Sequence, residues 1–299
     1  MSVVTFVIVN WNNRDLLLRC LQSIEIHASD VPHDVIVVDN ASSDDGVTIA
    51  RAQFPNTRFI LNHKNVGFAV ANNRGVAECN TPFALLLNTD AFLSPGALRK
   101  LMDVIQAQPM AGMVGAHLRN ADGTFQASHS RFSNLWREFL ILSGIGRKIF
   151  GYWYPSHAED HESQPCVVDY VEGACMLIRC DAYRQIGGMD ESFFMYAEEV
   201  DLCYRLKANG WQVWYQPLAR VTHLGGGSSS ERKTQRETDL YRSRIRFFRK
   251  HYGNVAAEIL KLQIYTITMV KMVLHGILRL LTNGQRGRLV VPLRDIARL

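Results

Sequence analysis

A chain of 299 residues, 47% hydrophobic and 20% charged, has the length and apolar content for a sizeable core, in one large domain or two closely packed units. Its six cysteines (Cys20, Cys79, Cys166, Cys175, Cys180, Cys203) include no C-x-x-C pair, which argues against a zinc knuckle or a small disulfide scaffold and for reduced thiols in a cytosolic compartment. The net charge of +5 is divided: residues 231–299 hold 15 Lys/Arg against 5 Asp/Glu, and residues 1–230 hold 18 against 23, so the tail is +10 and the body −5. The start, Met1-Ser-Val-Val-Thr-Phe, lacks a basic n-region and a small-residue cleavage site, so no secretory signal is expected.

In chain order, Val3–Val9 is a continuous β-branched run, the pattern of a strand buried on both faces of a parallel sheet. Residues 12–26 carry Leu16, Leu17, Cys20, Leu21 and Ile24 at helical spacing. Asp34–Val38 reads as a second buried strand, Thr57–Leu61 and Phe83–Leu87 as further ones, with a helix over Gly67–Glu78. Repeated βα units of this length predict a doubly wound α/β sheet. In such sheets ligands gather at the carboxyl ends of the strands. There stand Asn10-Trp11-Asn12, Asp39-Asn40 and Asn88-Thr89-Asp90, a set suited to a polar ligand and a cation. No Gly-x-Gly-x-x-Gly follows the first strand and no Gly-Lys-Ser/Thr element occurs, which disfavours a dinucleotide oxidoreductase or a P-loop NTPase. The remaining possibility is a nucleotide site with Asp39 on a base or ribose and Asp90 on a metal near phosphates.

Later, Met189–Leu202 sets Glu198, Glu199 and Asp201 among aromatic and apolar residues. Crowded, partly desolvated carboxylates have raised pKa values and suit a general base. The same residues also read as the acidic first turn of an amphipathic helix, stabilised by its dipole without catalysis. Residues 124–165, with His129, Trp136, Tyr152, Trp153, Tyr154, His157 and His161, suit an acceptor loop or lid and equally a packing role. Residues 255–281 are apolar but interrupted by Lys261, Lys271, His275 and Arg279, which disfavours a spanning helix and suits an interfacial one. Arg242, Arg244, Arg246, Arg249 and Lys250 would add attraction to an anionic membrane. The same stripe would equally serve packing on the chain's own body or in a homodimer.

Taken together, Val7–Asn12, Val37–Asp44, Asn65–Gly75, Leu85–Asp90 and Gly187–Arg205 resemble the family 2 glycosyltransferases, inverting enzymes of GT-A fold, most nearly their bacterial rhamnosyltransferase-like members. The resemblance covers about residues 1–230. It implies an α/β, GT-A (Rossmann-like) mixed sheet flanked by helices, with a C-terminal helical extension. The implied division is a catalytic domain over 1–230, with a nucleotide-sugar half (1–110) and an acceptor half (111–230), and a basic amphipathic helical tail over 231–299. By resemblance, Asp39 meets the uracil or thymine base, with Val9 and Trp11 lining that pocket. Asp90 matches the last acid of the element that holds Mg²⁺ or Mn²⁺ on the diphosphate, and Asn88 replaces its first acid. Glu199 matches the base, with Glu198 as the alternative, and His223 resembles a histidine that some members add to the metal. Asn65, Gly67 and Arg74 fall on the donor side, and Glu172, Gly173 and Asp201 on the acceptor side.

The implied activity is transfer of a sugar, L-rhamnose among the candidates, from a dTDP- or UDP-sugar to a glycan or lipid-diphosphate-linked acceptor in surface polysaccharide synthesis. The protein would be cytoplasmic, peripheral at the inner face of the cell membrane. A sugar-nucleotide pyrophosphorylase would need a Gly-rich loop after Val9, which is missing. A nucleic-acid partner is disfavoured because the tail's arginines flank an apolar helix without interleaved aromatics.

Overall fold

The computed structural model describes residues 1–152, 154–156, 163–225 and 233–281, with the side chains of 233–235 and 278–281 left aside. The expectations for Trp153, His157, His161 and residues 282–299, and the 230/231 boundary, lie outside these residues. The chain forms two compact units, Met1–Phe132 with Ser156–Phe194 and Glu198–Ser228, and Ser133–Pro155 with Met195–Ala197 and Ser229–Leu299.

The first unit runs β1 (Val4–Asn10), α1 (Arg14–His27), β2 (His33–Asp39), α2 (Gly46–Gln53), β3 (Arg58–Leu61), α3 (Phe68–Ala77), β4 (Phe83–Asn88), β5 (Ala91–Leu93), α4 (Ala97–Ala107), β6 (Ala111–Arg119) and β7 (His129–Ser130). The second unit then contributes α5 (Leu135–Ser143) and α6 (Ile145–Phe150). The first unit resumes with β8 (Cys166–Val168), β9 (Tyr170–Val171), β10 (Cys175–Arg179), α7 (Cys180–Gln185), α8 (Glu198–Ala208) and β11 (Gln212–His223). One sheet has the order β3-β2-β1-β4-β10-β6-β11-β5, with β8 on β11, and β7 pairs with β9 apart from it.

The strands β3, β2, β1 and β4 are parallel, as their continuous apolar runs predict. The order reverses between β1 and β4, a topological switch point where such sheets bind ligands. The sheet is mixed, because β10 enters antiparallel to both β4 and β6 and β5 lies antiparallel on β11. Alternation along β1 divides its side chains between two cores. Val4, Phe6 and Ile8 pack with Leu17, Cys20, Leu21 and Ile24 of α1 and Leu98 and Leu101 of α4. Val7 packs on the other face with Ala69 and Val76 of α3 and Leu202 and Leu206 of α8. Gly75 permits the close approach of α3, since a Cβ there would lie 2.3 Å from Val7 Cγ1.

In the second unit α9 (Lys233–Leu281) is broken at Gly253 (φ 88°). After the break, Ala257, Leu260, Ile264 and Thr268 are buried at spacings of three and four residues. Lys271 Nζ donates to Leu142 O at 2.5 Å, and Arg244 Nη1 pairs with buried Glu138 Oε2 at 3.0 Å. These contacts group residues 133–155 with the tail, whereas the expected division put them in the acceptor half (111–230) of the catalytic domain. Opposite the buried stripe, Val255, Ile259, Leu262, Val270, Val273 and Ile277 are exposed on one helix face.

Candidate active site

Register puts the polar strand ends side by side: Asn10 pairs with Asp39 and Val9 with Asn88. Asp39 is nearly buried, and its carboxylate is held from three directions. Asn10 Nδ2 donates to Oδ1 at 2.8 Å, Ser42 Oγ to Oδ1 at 2.6 Å and the Ser42 amide to Oδ2 at 2.9 Å. A carboxylate offers about four acceptor directions, so one on Oδ2 is left for a ligand donor. The two loops beyond β1 and β2 carry Asn12 (φ 51°) and Ala41 (φ 61°) in left-handed backbone. They are tied across by Ser43 N to Asn12 Oδ1 (2.7 Å) and Asn12 N to Ser42 Oγ (2.9 Å). Val9 and Trp11 are half-buried beside this turn.

Asp90 follows Asn88 at the end of β4, and His223 is the last residue of β11, in register with Ala91. Gln126 Nε2 donates to Asn120 Oδ1 (3.0 Å) and to His223 O (3.3 Å), which fixes the amide so that its Oε1 accepts from His223 Nδ1 at 2.7 Å. The other ring nitrogen, Nε2, faces Asp90 Oδ1 at 3.3 Å. Two acceptor atoms so placed call for a proton or a cation between them. A histidine whose far nitrogen donates to a fixed oxygen is oriented as metal-binding histidines are. Among the described residues no group of three or more His, Cys, Asp or Glu comes together as a cage. One carboxylate and one imidazole, with the remainder supplied by phosphates and water, suit Mn²⁺, which takes nitrogen beside oxygen ligands, better than Mg²⁺, whose protein ligands at nucleotide sites are oxygens.

The acids expected to carry chemistry begin α8, preceded by Tyr196 (φ 70°) and Ala197 (φ 62°) in left-handed backbone. Two such residues in succession cost on the order of 1–2 kcal/mol each, and they set the direction in which the helix starts. Glu198 is 5% exposed and its Oε2 has no hydrogen-bond partner. Burial, reinforced by the charge of Glu199, holds the Glu198 carboxyl well above the ordinary carboxylate range. Burial likewise raises Glu199 to about 7, against the opposing pull of the Glu199 and Val200 amides at the helix start. Glu199 lies over Gly173, where a Cβ would stand 3.6 Å from its Cβ and Cγ. The next residue, Ala174, accepts from Asn88 N at 3.0 Å, which brings the acceptor-side segment to the end of β4. Glu172 N in turn donates to Ser128 O at 3.0 Å.

Other expected residues are used for the fold. Asp201 is fully buried, and Arg205 Nε donates to its Oδ2 at 2.7 Å while Arg205 Nη1 holds Ile186 O at 2.9 Å. This geometry does not support the expected acceptor contact, because the carboxylate is committed to an ion pair inside the first unit. The amides near α3 are also taken: Gly67 N donates to Asn65 Oδ1 (3.0 Å) and Phe68 N to Phe194 O (2.9 Å). Asn65 and Gly67 therefore shape a turn, and Asn73 ties α3 to Met189. Exposed Arg74 donates to Asn62 Oδ1, and Asn62 donates to Asn40 Oδ1 at 2.8 Å, so Arg74 stands beside the Asp39 turn. Sequence reasoning missed Ser42 and Gln126. The Asp39-x-x-Ser42 spacing is a local turn signal, whereas Gln126 lies 97 residues from His223 and gives none.

A sheet whose switch point carries polar strand ends, with a carboxylate–histidine pair after β4 and an acid raised toward neutrality over the segment bonded to the end of β4, has the layout of α/β enzymes that bind polar ligands at this edge. More narrowly, the chain belongs to the family described as Glycosyltransferase like family 2, which matches residues 2–253. It is 30% identical over 241 residues, 74% of this chain and 76% of the relative, to an N-acetylglucosaminyl-diphospho-decaprenol L-rhamnosyltransferase of Mycobacterium tuberculosis. It is 24% identical to the rhamnosyltransferase WbbL of Escherichia coli, over 74% of this chain and 83% of that one. A mannosyltransferase from Pyrobaculum calidifontis, solved with GDP-Man and Mn²⁺, shares the fold with a TM-score of 0.60 at 14% identity, over 99% of this chain and 78% of that one. The fold is thus GT-A, as the motifs implied.

Proposed function

We propose that this protein is an inverting hexosyltransferase, moving a sugar from a dTDP- or UDP-activated donor to a lipid-diphosphate-linked or glycan acceptor, with L-rhamnose the leading candidate sugar. The single observation that carries the reading is Glu199, raised to about 7 and set over Gly173 beside the end of β4. An acid with that pKa is matched to taking a proton near neutral pH. The relatives act, by their names, as rhamnosyltransferases, one of them on a decaprenyl diphosphate acceptor.

In this reading Asp39 Oδ2 receives a base N–H, with Val9 and Trp11 beside it. Glu199 removes the acceptor hydroxyl proton as that oxygen attacks the anomeric carbon in line, and a single displacement inverts configuration there. Glu198, protonated, keeps a second negative charge away from the base; it is also the alternative base. Asp90 and His223 would hold Mg²⁺ or Mn²⁺, with Asn88 nearby. When bound, the ion neutralises charge on the departing nucleoside diphosphate. No second carboxylate is needed as an acid, which separates this site from a glycosidase pair.

The lipid-linked acceptor makes a membrane surface the working location. Among the described residues no helix is long and apolar enough to cross a membrane. The exposed apolar face of α9 and the +10 tail suit an anionic interface instead. The test is calorimetric titration with dTDP, UDP, GDP and ADP, each with and without Mn²⁺, followed by turnover with a lipid-linked acceptor. Metal-dependent, base-selective binding supports the donor site. Absence of binding to all four together with absence of turnover would refute the proposal.

A further inference from the structure

In the second unit the helix α6 buries only its glycine, Gly146, where a Cβ would stand 2.4 Å from Tyr154 Cε1. Its large apolar side chains are turned outward instead. Ile149 is 65% exposed, Phe150 62% and, just beyond the helix, Tyr152 71%, and Ile145 is exposed with them. At 3.6 residues per turn, Ile145, Ile149 and Phe150 fall on one side of α6, and Arg147 and Lys148, both exposed, on the other. Arg147 also stands over the Tyr152 ring, 5.5 Å from its centroid. Residues 139–157 contain no Asp or Glu, and the preceding Glu138 is buried in its pair with Arg244. The segment therefore presents bulky apolar and aromatic groups beside positive charge that no acid of its own offsets.

A helix that packs so little of itself owes its composition to something other than the core. A lid that stacks on sugar would use Phe150 and Tyr152, but gives no reason for Ile145 and Ile149 to be exposed. A second copy seated on this face would bring Arg147 and Lys148 against their own counterparts, a like-charge contact with nothing in the segment to relieve it. Cations on one side of a helix and large apolar groups on the other suit the boundary between headgroups and acyl chains, where tyrosine keeps its ring in the apolar layer and its hydroxyl wet. We infer that α6 and Tyr152 form a docking element for an anionic lipid surface, with Ile145, Ile149 and Phe150 entering the acyl boundary and Arg147 and Lys148 meeting headgroup phosphates. This element is separate from the exposed face of α9 and from the basic tail. It deepens the membrane location proposed above and requires neither donor nor acceptor.

The experiment is flotation of the full chain with phosphatidylcholine vesicles, alone or mixed with phosphatidylglycerol. The wild-type protein should bind the mixed vesicles more tightly. Ile149→Ser with Phe150→Ser should weaken binding to them by about tenfold or more, the loss expected when two bulky side chains leave the acyl boundary. Arg147→Gln with Lys148→Gln should remove roughly tenfold of the preference for phosphatidylglycerol. Thermal unfolding reports that both variants are folded. Equal affinity for the mixed vesicles in wild type and both variants would overturn the inference, as would a wild-type protein that binds neither kind of vesicle. So would a lipid-free dimer, seen by analytical ultracentrifugation, that Ile149→Ser with Phe150→Ser makes monomeric, since the face would then belong to a second copy. Failure of the glycosyltransferase reading shows separately, as absence of nucleoside diphosphate binding with vesicle binding intact.

Discussion

Replacing Glu199 by Gln removes the ionisable group and keeps the shape, and the structure gives two coupled consequences. Loss of a general base lowers turnover by roughly two to four orders of magnitude, with nucleotide binding retained. Stability changes the other way. Because burial raises the folded-state pKa from 4.5 to about 7, the unfolded chain releases this proton first as pH rises. The folded state is therefore favoured in full below pH 4.5, and that advantage is lost as pH climbs through 7. At 1.36 kcal/mol per pKa unit the loss is at most roughly 3 kcal/mol, which Gln does not suffer. Denaturant unfolding at pH 4 and pH 8 should show the variant close to wild type at the first and more stable at the second. Wild-type kcat/KM should rise with pH through about 7. Near-normal turnover of the Gln variant would transfer the role to Glu198, and an unchanged stability difference between the two pH values would refute the burial argument.

Asp90→Ala should abolish the effect of Mn²⁺ on nucleotide affinity, measured by calorimetry; a preserved metal effect would remove Asp90 from the ion. Gln126→Leu should weaken the same metal effect less, about tenfold, by freeing the His223 ring, with thermal unfolding checking the fold. Gly67→Ala should destabilise the first unit, because φ is 86° and a Cβ would stand 2.7 Å from Phe194 O; a cost of about 1–3 kcal/mol is expected in denaturant melts. Leu262→Asp with Val273→Asp should reduce binding to phosphatidylglycerol vesicles in flotation while leaving nucleotide affinity intact, since both residues are exposed on α9.

Much was legible from the residues alone because the signals are local. Continuous apolar runs marked β1, β2 and β4 to within a residue or two, since a parallel strand buried on both faces admits little else. The ends of those strands then named Asp39 and Asp90, and the acidic run before an amphipathic helix named Glu198 and Glu199. The raised pKa of the pair also followed from crowding and burial, although only packing decided which carboxylate lies over Gly173. Chain order likewise could not place β10 between β4 and β6, join Gln126 to His223, or commit Asp201 to Arg205 inside the fold. Nor could it group residues 133–155 with α9. Side-chain periodicity reports which face of an element is buried, but pairings between distant segments are set by the whole core's packing and by the requirement that buried polar groups find partners. The sequence by itself determined the elements, the polar edge of the sheet and the acids available for chemistry. Only the tertiary structure decided which of those acids lies over Gly173 and which is paired with Arg205 in the interior.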